Sequence, residues 1–256
     1  MIDCHCHLQD SAFGESIDSI IRQGIDLGIE KWVVNGTKES DWPNVAKLAQ
    51  AYPDYIQPSF GYHPWYVKER SNRWLKTLSG YLEQFPTANV GEIGLDRWIK
   101  DHDIKDQLEV FIHQWQLADQ FDRPITVHCL RAWGVLVDCL PQLKPKPYLL
   151  HSYSGSKELI PTFSEHGAYF SISGYFFEPK KRNKLLVFDA VPKNRLLLET
   201  DAPAMPLPES LCKFGGREVN HPCNLSVIYR RYSEFADQSV DKTLDQVKQN
   251  HTVWQR

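Results

Sequence analysis

Met1-Ile2-Asp3-Cys4-His5-Cys6-His7-Leu8 opens the chain. In a β-strand residues i and i+2 share a face. A strand over 2–8 therefore sets Asp3, His5 and His7 on one side and Cys4 and Cys6 on the other. Two imidazoles side by side make half of a site for a divalent transition metal. The remaining ligands, carboxylates or further histidines, have to come from elsewhere in the chain.

Working outward, short apolar strands recur, each followed by a helical stretch. Strands are expected over 31–36, 56–63, 89–96, 124–130, 147–152, 168–174 and 195–201. Helices are expected over 16–28, 41–52, 73–85, 105–121, 133–143, 157–167 and 181–191. Further helical pieces follow a long loop, over 227–236 and 244–250. The clearest helix is 105–121, where Leu108, Phe111, Ile112, Trp115 and Ala118 share one face. The strands are continuously apolar, as expected for strands covered on both faces. Eight such units with no interrupting linker close most simply into one α/β domain over 1–256, a single (β/α)8 TIM barrel with its site at the C-terminal ends of the strands. An open doubly wound sheet is the alternative, because strand order is not written in one sequence.

The net charge of -3 gives no general field for a nucleic acid duplex or a membrane. Apolar residues make up 42%, which suits a packed globular domain. No apolar run approaches the roughly 18 residues of a membrane span. The first residues lack a leader-like segment, and the six cysteines are scattered, as free thiols in a reducing cytosol would be. A cytoplasmic monomer with no obligate protein partner is the expectation.

In such a barrel, chemistry sits at the C-terminal ends of the strands. Those ends carry His5 and His7 (first strand), His63 (third), Glu92 (fourth), His128 (fifth), His151 (sixth) and Asp201 (eighth). Five of the chain's ten histidines would converge on one rim. Taken singly, most have simpler explanations: His128 and His151 end apolar runs as core histidines do, Asp201 could cap a loop, and His63 precedes Pro64 in a turn. Glu92 is harder to dismiss, because a carboxylate inside an apolar strand is costly unless paired or metal-bound. One metal site accounts for all seven together. His102, His113, His166 and His221 fall outside the pattern, and Cys129 is expected on the core face of its strand. Tyr62, Trp65 and Trp98 sit in rim loops, where a ring could stack on a substrate base.

The motifs around these residues resemble the TatD-type deoxyribonucleases, metal-dependent hydrolases among the amidohydrolase-like barrels. They are His-x-His at His5 and His7, GYHP with His63, VGEIGLD with Glu92 and Asp96, ITVHC with His128, LLHSYSGS with His151, FSISG, and LLLETDAPAMPLP with Asp201. Cys129 stands where the family often has serine, with Leu130 and Arg131 next; HSYSG replaces HCFSG, and the loop 215–222 (GGREVNHP) matches loosely. None of these departures removes an expected ligand.

The resemblance implies two divalent metal cations, Zn, Mn or Mg. His5, His7, Glu92 and Asp201 would hold one, and Glu92, His128 and His151 the other, with Glu92 bridging. It further implies hydrolysis of DNA phosphodiester bonds, from an end or on single strands, by a metal-activated water. Asp201 would act as general base or orient the water. His63 and Arg131 would contact phosphate oxygens, or His63 would protonate the leaving group. The alternative is hydrolysis of a small amide, lactone or phosphoester on the same barrel. The bridge frequent in those relatives is a carboxylated lysine, and the fourth strand offers Glu92 and no lysine. A non-catalytic scaffold is disfavoured by the complete ligand set.

Overall fold

The structure is a computed structural model that describes all 256 residues except Arg217, and only the backbone of Glu15. Arg217, within the loosely matching loop, lies outside the described residues. Eight parallel strands follow one another around the sheet: β1 (Ile2–Cys6), β2 (Lys31–Asn35), β3 (Ile56–Phe60), β4 (Asn89–Asp96), β5 (Ile125–Leu130), β6 (Tyr148–Leu150), β7 (Ala168–Ile172) and β8 (Leu196–Leu198). Between them run α1 (Ile17–Asp26), α2 (Trp42–Ala51), α3 (Trp74–Gln84), α4 (Ile104–Gln120), α5 (Trp133–Cys139), α6 (Ile160–Glu165) and α7 (Arg182–Leu185), and α8 (Leu225–Phe235) and α9 (Val240–Trp254) complete the chain. Sequential strand order is that of a (β/α)8 barrel, not of a doubly wound sheet.

Among the described residues no regular ladder joins β8 to β1. Single bonds sew this seam. The Asp201 N–H donates to the His5 carbonyl (3.0 Å) and the His7 N–H to the Ala202 carbonyl (2.8 Å). Below them the buried Asp3 carboxylate accepts from the Thr200 N–H (2.9 Å) and hydroxyl (2.6 Å). The Tyr229 hydroxyl of α8 accepts from the Ile2 N–H (3.0 Å) and donates to the Ile2 carbonyl (2.9 Å). Backbone groups that a ladder would have paired are thus satisfied by side chains.

Helix α4 shows how the outer layer positions the rim. Asp103 caps it, its carboxylate accepting from the Lys105 and Asp106 N–H groups. Phe111, Trp115 and Ala118 face inward as their spacing predicts, but so do Gln107 and Gln114. Gln114 grips the Tyr62 backbone at its N–H (2.6 Å) and carbonyl (3.2 Å). Gln107 does the same for Asp96 (2.8 and 3.0 Å). Two amides seven residues apart therefore hold the chain just beyond β3 and at the end of β4.

Several elements differ in extent from the sequence expectation. Strand β3 stops at Phe60, so His63 belongs to the following loop. Helix α6 begins only at Ile160, with Pro161 in its first turn, where a missing N–H does no harm. The expected helix over 181–191 is mostly 3-10 turns around a four-residue α7. Helix α9 is fifteen residues long, more than twice the expected piece, starting from a Ser239 cap whose hydroxyl accepts the Lys242 N–H.

Candidate active site

Glu92 lies inside β4 and is 2% exposed. The glycines of its motif let neighbouring strands come close. A Cβ on Gly94 would fall 1.9 Å from the His128 carbonyl oxygen of β5, and one on Gly91 would fall 2.8 Å from the Thr126 Cβ. The carboxylate then meets imidazoles on two sides. Its Oε2 stands 3.3 Å from Nε2 of both His5 and His7. Its Oε1 stands 3.0 Å from His128 Nδ1, 2.8 Å from His151 Nε2 and 3.4 Å from His63 Nε2. Across the seam, Asp201 Oδ1 is 3.4 Å from His5 Nε2 and 3.5 Å from His7 Nε2. All seven strand-end residues named from the sequence are therefore brought together.

Their ligand atoms form three overlapping groups, His5–His7–Asp201, His5–Glu92–His151 and His63–Glu92–His128, each within 4.8 Å. Metal–ligand bonds of about 2.1 Å place neighbouring ligand atoms about 3.0 Å apart at right angles and about 3.4 Å apart at the tetrahedral angle. The separations here match those edges. Glu92 Oε1 is buried with three imidazole nitrogens at 2.8–3.4 Å, none of them in well-aligned hydrogen-bond geometry. A buried carboxylate oxygen in that position calls for a cation. The residues present thus fit a divalent metal centre.

Outer bonds decide which nitrogen His7 and His128 turn inward. His7 donates from Nδ1 to the Asn35 carbonyl (2.8 Å), and His128 from Nε2 to Asp96 Oδ2 (2.9 Å). His151 Nδ1 faces Glu199 Oε1 at 3.4 Å. In the neutral ring His7 and His128 each leave a lone pair pointing into the cage. His63 is the reverse: its Nδ1 accepts the Trp65 backbone N–H (3.1 Å), so the proton of the neutral ring sits on Nε2. Burial holds the His63 pKa down to about 4. At pH 7 it presents an N–H to the cage, with neither a lone pair nor a positive charge.

The charges are strongly coupled. Burial alone would push the Glu92 carboxyl up, but His151, His63 and His5 hold it well below its ordinary range. Asp201 is likewise held down by His5 and His7 against its burial. Burial lowers His7 and His151, yet Asp201 and Glu92 raise the first and Glu92 and Glu199 the second, both to well above 6.5. Carboxylates and imidazoles packed this closely favour one another's charged forms, and a divalent cation would compete with protons for the same atoms.

The remaining expectations separate. Arg131 follows β5 with a left-handed backbone (φ 56) and an exposed side chain. Among the described residues it makes no hydrogen bond or ion pair with the cage. Tyr62 is buried, with its hydroxyl on Glu39 (3.3 Å), so its ring is not available for stacking. Trp65 and Trp98 are exposed. Cys4, Cys6 and Cys129 are buried, as expected.

Two acids that support the cage escaped the sequence reading of roles. Buried Glu199 accepts from the hydroxyls of Ser152 (2.6 Å) and Ser171 while facing His151. Buried Asp96 anchors His128. The available signal was parity within the expected strands: Glu199 lies two residues before Asp201, and Asp96 four after Glu92.

Comparison with known proteins gives the family. The family model described as TatD related DNase matches residues 2–254. The chain is 28% identical over 236 residues to a 3'-5' ssDNA/RNA exonuclease TatD of Erwinia tasmaniensis, covering 90% of each protein. It is 30% identical over 209 residues to the uncharacterized metal-dependent hydrolase YjjV of Escherichia coli, covering 80% of each. The crystal structure of YJJV, a TATD homolog from Escherichia coli, superposes with a TM-score of 0.90 at 27% identity, over 99% of this chain and 97% of that one. A match along nearly the whole length, on a barrel that gathers the expected ligands, means that the chain belongs to the TatD related DNase family.

Proposed function

We propose that the protein is a metal-dependent phosphodiesterase that cuts DNA, from an end or in single strands. Two divalent cations would be held, one by His5, His7, Glu92 and Asp201 and the other by Glu92, His128 and His151. The observation that carries this reading is Glu92, whose two oxygens face different sets of imidazoles. Histidine-rich sets suit Zn or Mn better than Mg, which prefers oxygen but is abundant. Such ions, once bound, lower the pKa of water and offset charge building on the phosphate.

The chain's own groups do the rest. Asp201, held ionised, accepts a proton from the attacking water or orients it. His63 donates its Nε2–H to a non-bridging phosphate oxygen. Being neutral, it contributes a hydrogen bond and no charge. Arg131, exposed just after β5, supplies the positive charge. The protein works as one domain over 1–256, a cytoplasmic monomer without an obligate partner. Its net charge of -3 favours contact with a short or single-stranded segment over a long duplex tract.

The test offers metal-reconstituted protein labelled single-stranded DNA and a panel of small esters, lactones and amides, with and without chelator. Chelator-sensitive release of mononucleotides is expected. Turnover of the small substrates alone would replace this reading with the small-molecule one.

A further inference from the structure

Asp96 ends β4 fully buried, and both of its oxygens are engaged. Oδ2 accepts from His128 Nε2 (2.9 Å) and from the Trp65 indole N–H (2.7 Å). Oδ1 accepts from the backbone N–H groups of Trp98 (2.5 Å) and Ile99 (3.0 Å). One carboxylate therefore fixes a ring of the cage, an exposed indole, and the backbone that carries a second exposed indole.

Trp65 is the telling member. It is 42% exposed, yet its ring cannot turn freely. The indole is tethered to Asp96, and it stands edge-on to His63 with centroids 5.1 Å apart. Gln107 ties the carbonyl of the preceding Pro64 (3.4 Å) and the Asp96 backbone together. A large aromatic face that meets water in one fixed orientation has lost its rotamer freedom before any ligand arrives. Such a face suits a flat aromatic ligand, and it lies beside the imidazoles that surround Glu92. Trp98, 57% exposed, has its backbone held, and among the described residues its indole makes no hydrogen bond.

We infer that Trp65 is the stacking platform for a nucleobase of the bound strand, and that Asp96 is the positioning residue that sets Trp65 and His128 together. The identity of the ligand rests on the phosphodiesterase reading; the link from Asp96 to the metal centre does not.

The experiment measures binding. Fluorescence anisotropy compares a single-stranded phosphorothioate hexanucleotide with a fully abasic strand of equal charge. Wild type is expected to prefer the strand with bases, and Trp65→Ala to cut that preference about 5- to 150-fold, the worth of one stacked base. Trp65→Phe, which keeps a ring and loses the tether, should fall between them. No preference in wild type, or the same preference in Trp65→Ala, overturns the platform. In parallel, Mn titration by calorimetry should show Asp96→Asn weakened about 10- to 100-fold, with base preference also reduced, while Trp65→Ala loses preference alone. Wild-type Mn affinity in a folded Asp96→Asn, or full wild-type preference in Trp65→Phe, overturns the positioning role. If wild type prefers bases but cleaves no natural strand, the phosphodiesterase reading falls and the platform stands.

Discussion

Glu92 and Asp201 are the residues on which the candidate centre turns. Glu92→Ala or Asp201→Ala is expected to bring turnover to background while far-UV circular dichroism stays native, because each removes a carboxylate from the cage and none from the barrel core. Measurable turnover in either variant would sink the assigned roles. At this scale the sequence was most legible where burial made a residue expensive. A carboxylate flanked by apolar residues and glycines demanded an explanation, and alternation put His5 and His7 on one face. Asp96 and Glu199 were less legible, since an acid at a strand end looks the same whether it caps a loop or orients a ring. The neutral Nε2–H form of His63 was not legible at all. It follows from one backbone bond to Trp65, which exists only once β3 has ended early.

Among the elements, α4 and α9 show the limit of reading by apolar spacing. The stripe on α4 was plain, yet Gln107 and Gln114 pass for solvent-facing polar residues. They are buried because each satisfies both backbone groups of one residue in a neighbouring segment. Gln114→Ala should leave the Tyr62 N–H and carbonyl unmet and lower stability by roughly 1–3 kcal/mol, read from the urea midpoint. Helix α9 looked short because few of its buried positions are apolar: Thr243, Asn250 and His251 accompany Val247 and Trp254. Asn250 donates to the Lys193 (2.7 Å) and Leu196 (2.8 Å) carbonyls beside β8. Burial, assisted by Lys31, holds the His251 pKa down to about 4. Because its folded pKa lies below the ordinary 6.5, the neutral ring contributes stability in full above pH 6.5 and loses it as pH falls towards 4. That window should account for up to about 3 kcal/mol of acid destabilisation. His251→Gln is expected to flatten the stability–pH curve between pH 6.5 and 4, and an unchanged slope would contradict this assignment.

For the molecule as a whole, the β/α rhythm was enough to foresee the barrel, and strand order followed the sequence as that fold requires. A closed barrel brings the first strand beside the eighth, but the side chains that hold this seam were not legible, since the Asp3–Thr200 pair spans 197 positions. The candidate centre straddles it, with His5 and His7 on one side and Asp201 on the other. A bound cation would therefore join the two sides. Mn or Zn at about 100 times its dissociation constant should add about 2.7 kcal/mol, or roughly 5–10 °C in Tm for a chain of this size. Chelator should reverse the gain, and Glu92→Ala should show much less of it, as differential scanning calorimetry can record.

The seam also sets a timetable. On the ribosome, His5 emerges early, and Asp201 only after all eight strands have been made. A chain that stops short of the eighth strand lacks Asp201, the carboxylate that faces His5 and His7 across the seam. The seam is finished later still, once α8 has been made and its Tyr229 can hold both backbone groups of Ile2, so the first residues of the chain wait for nearly the last.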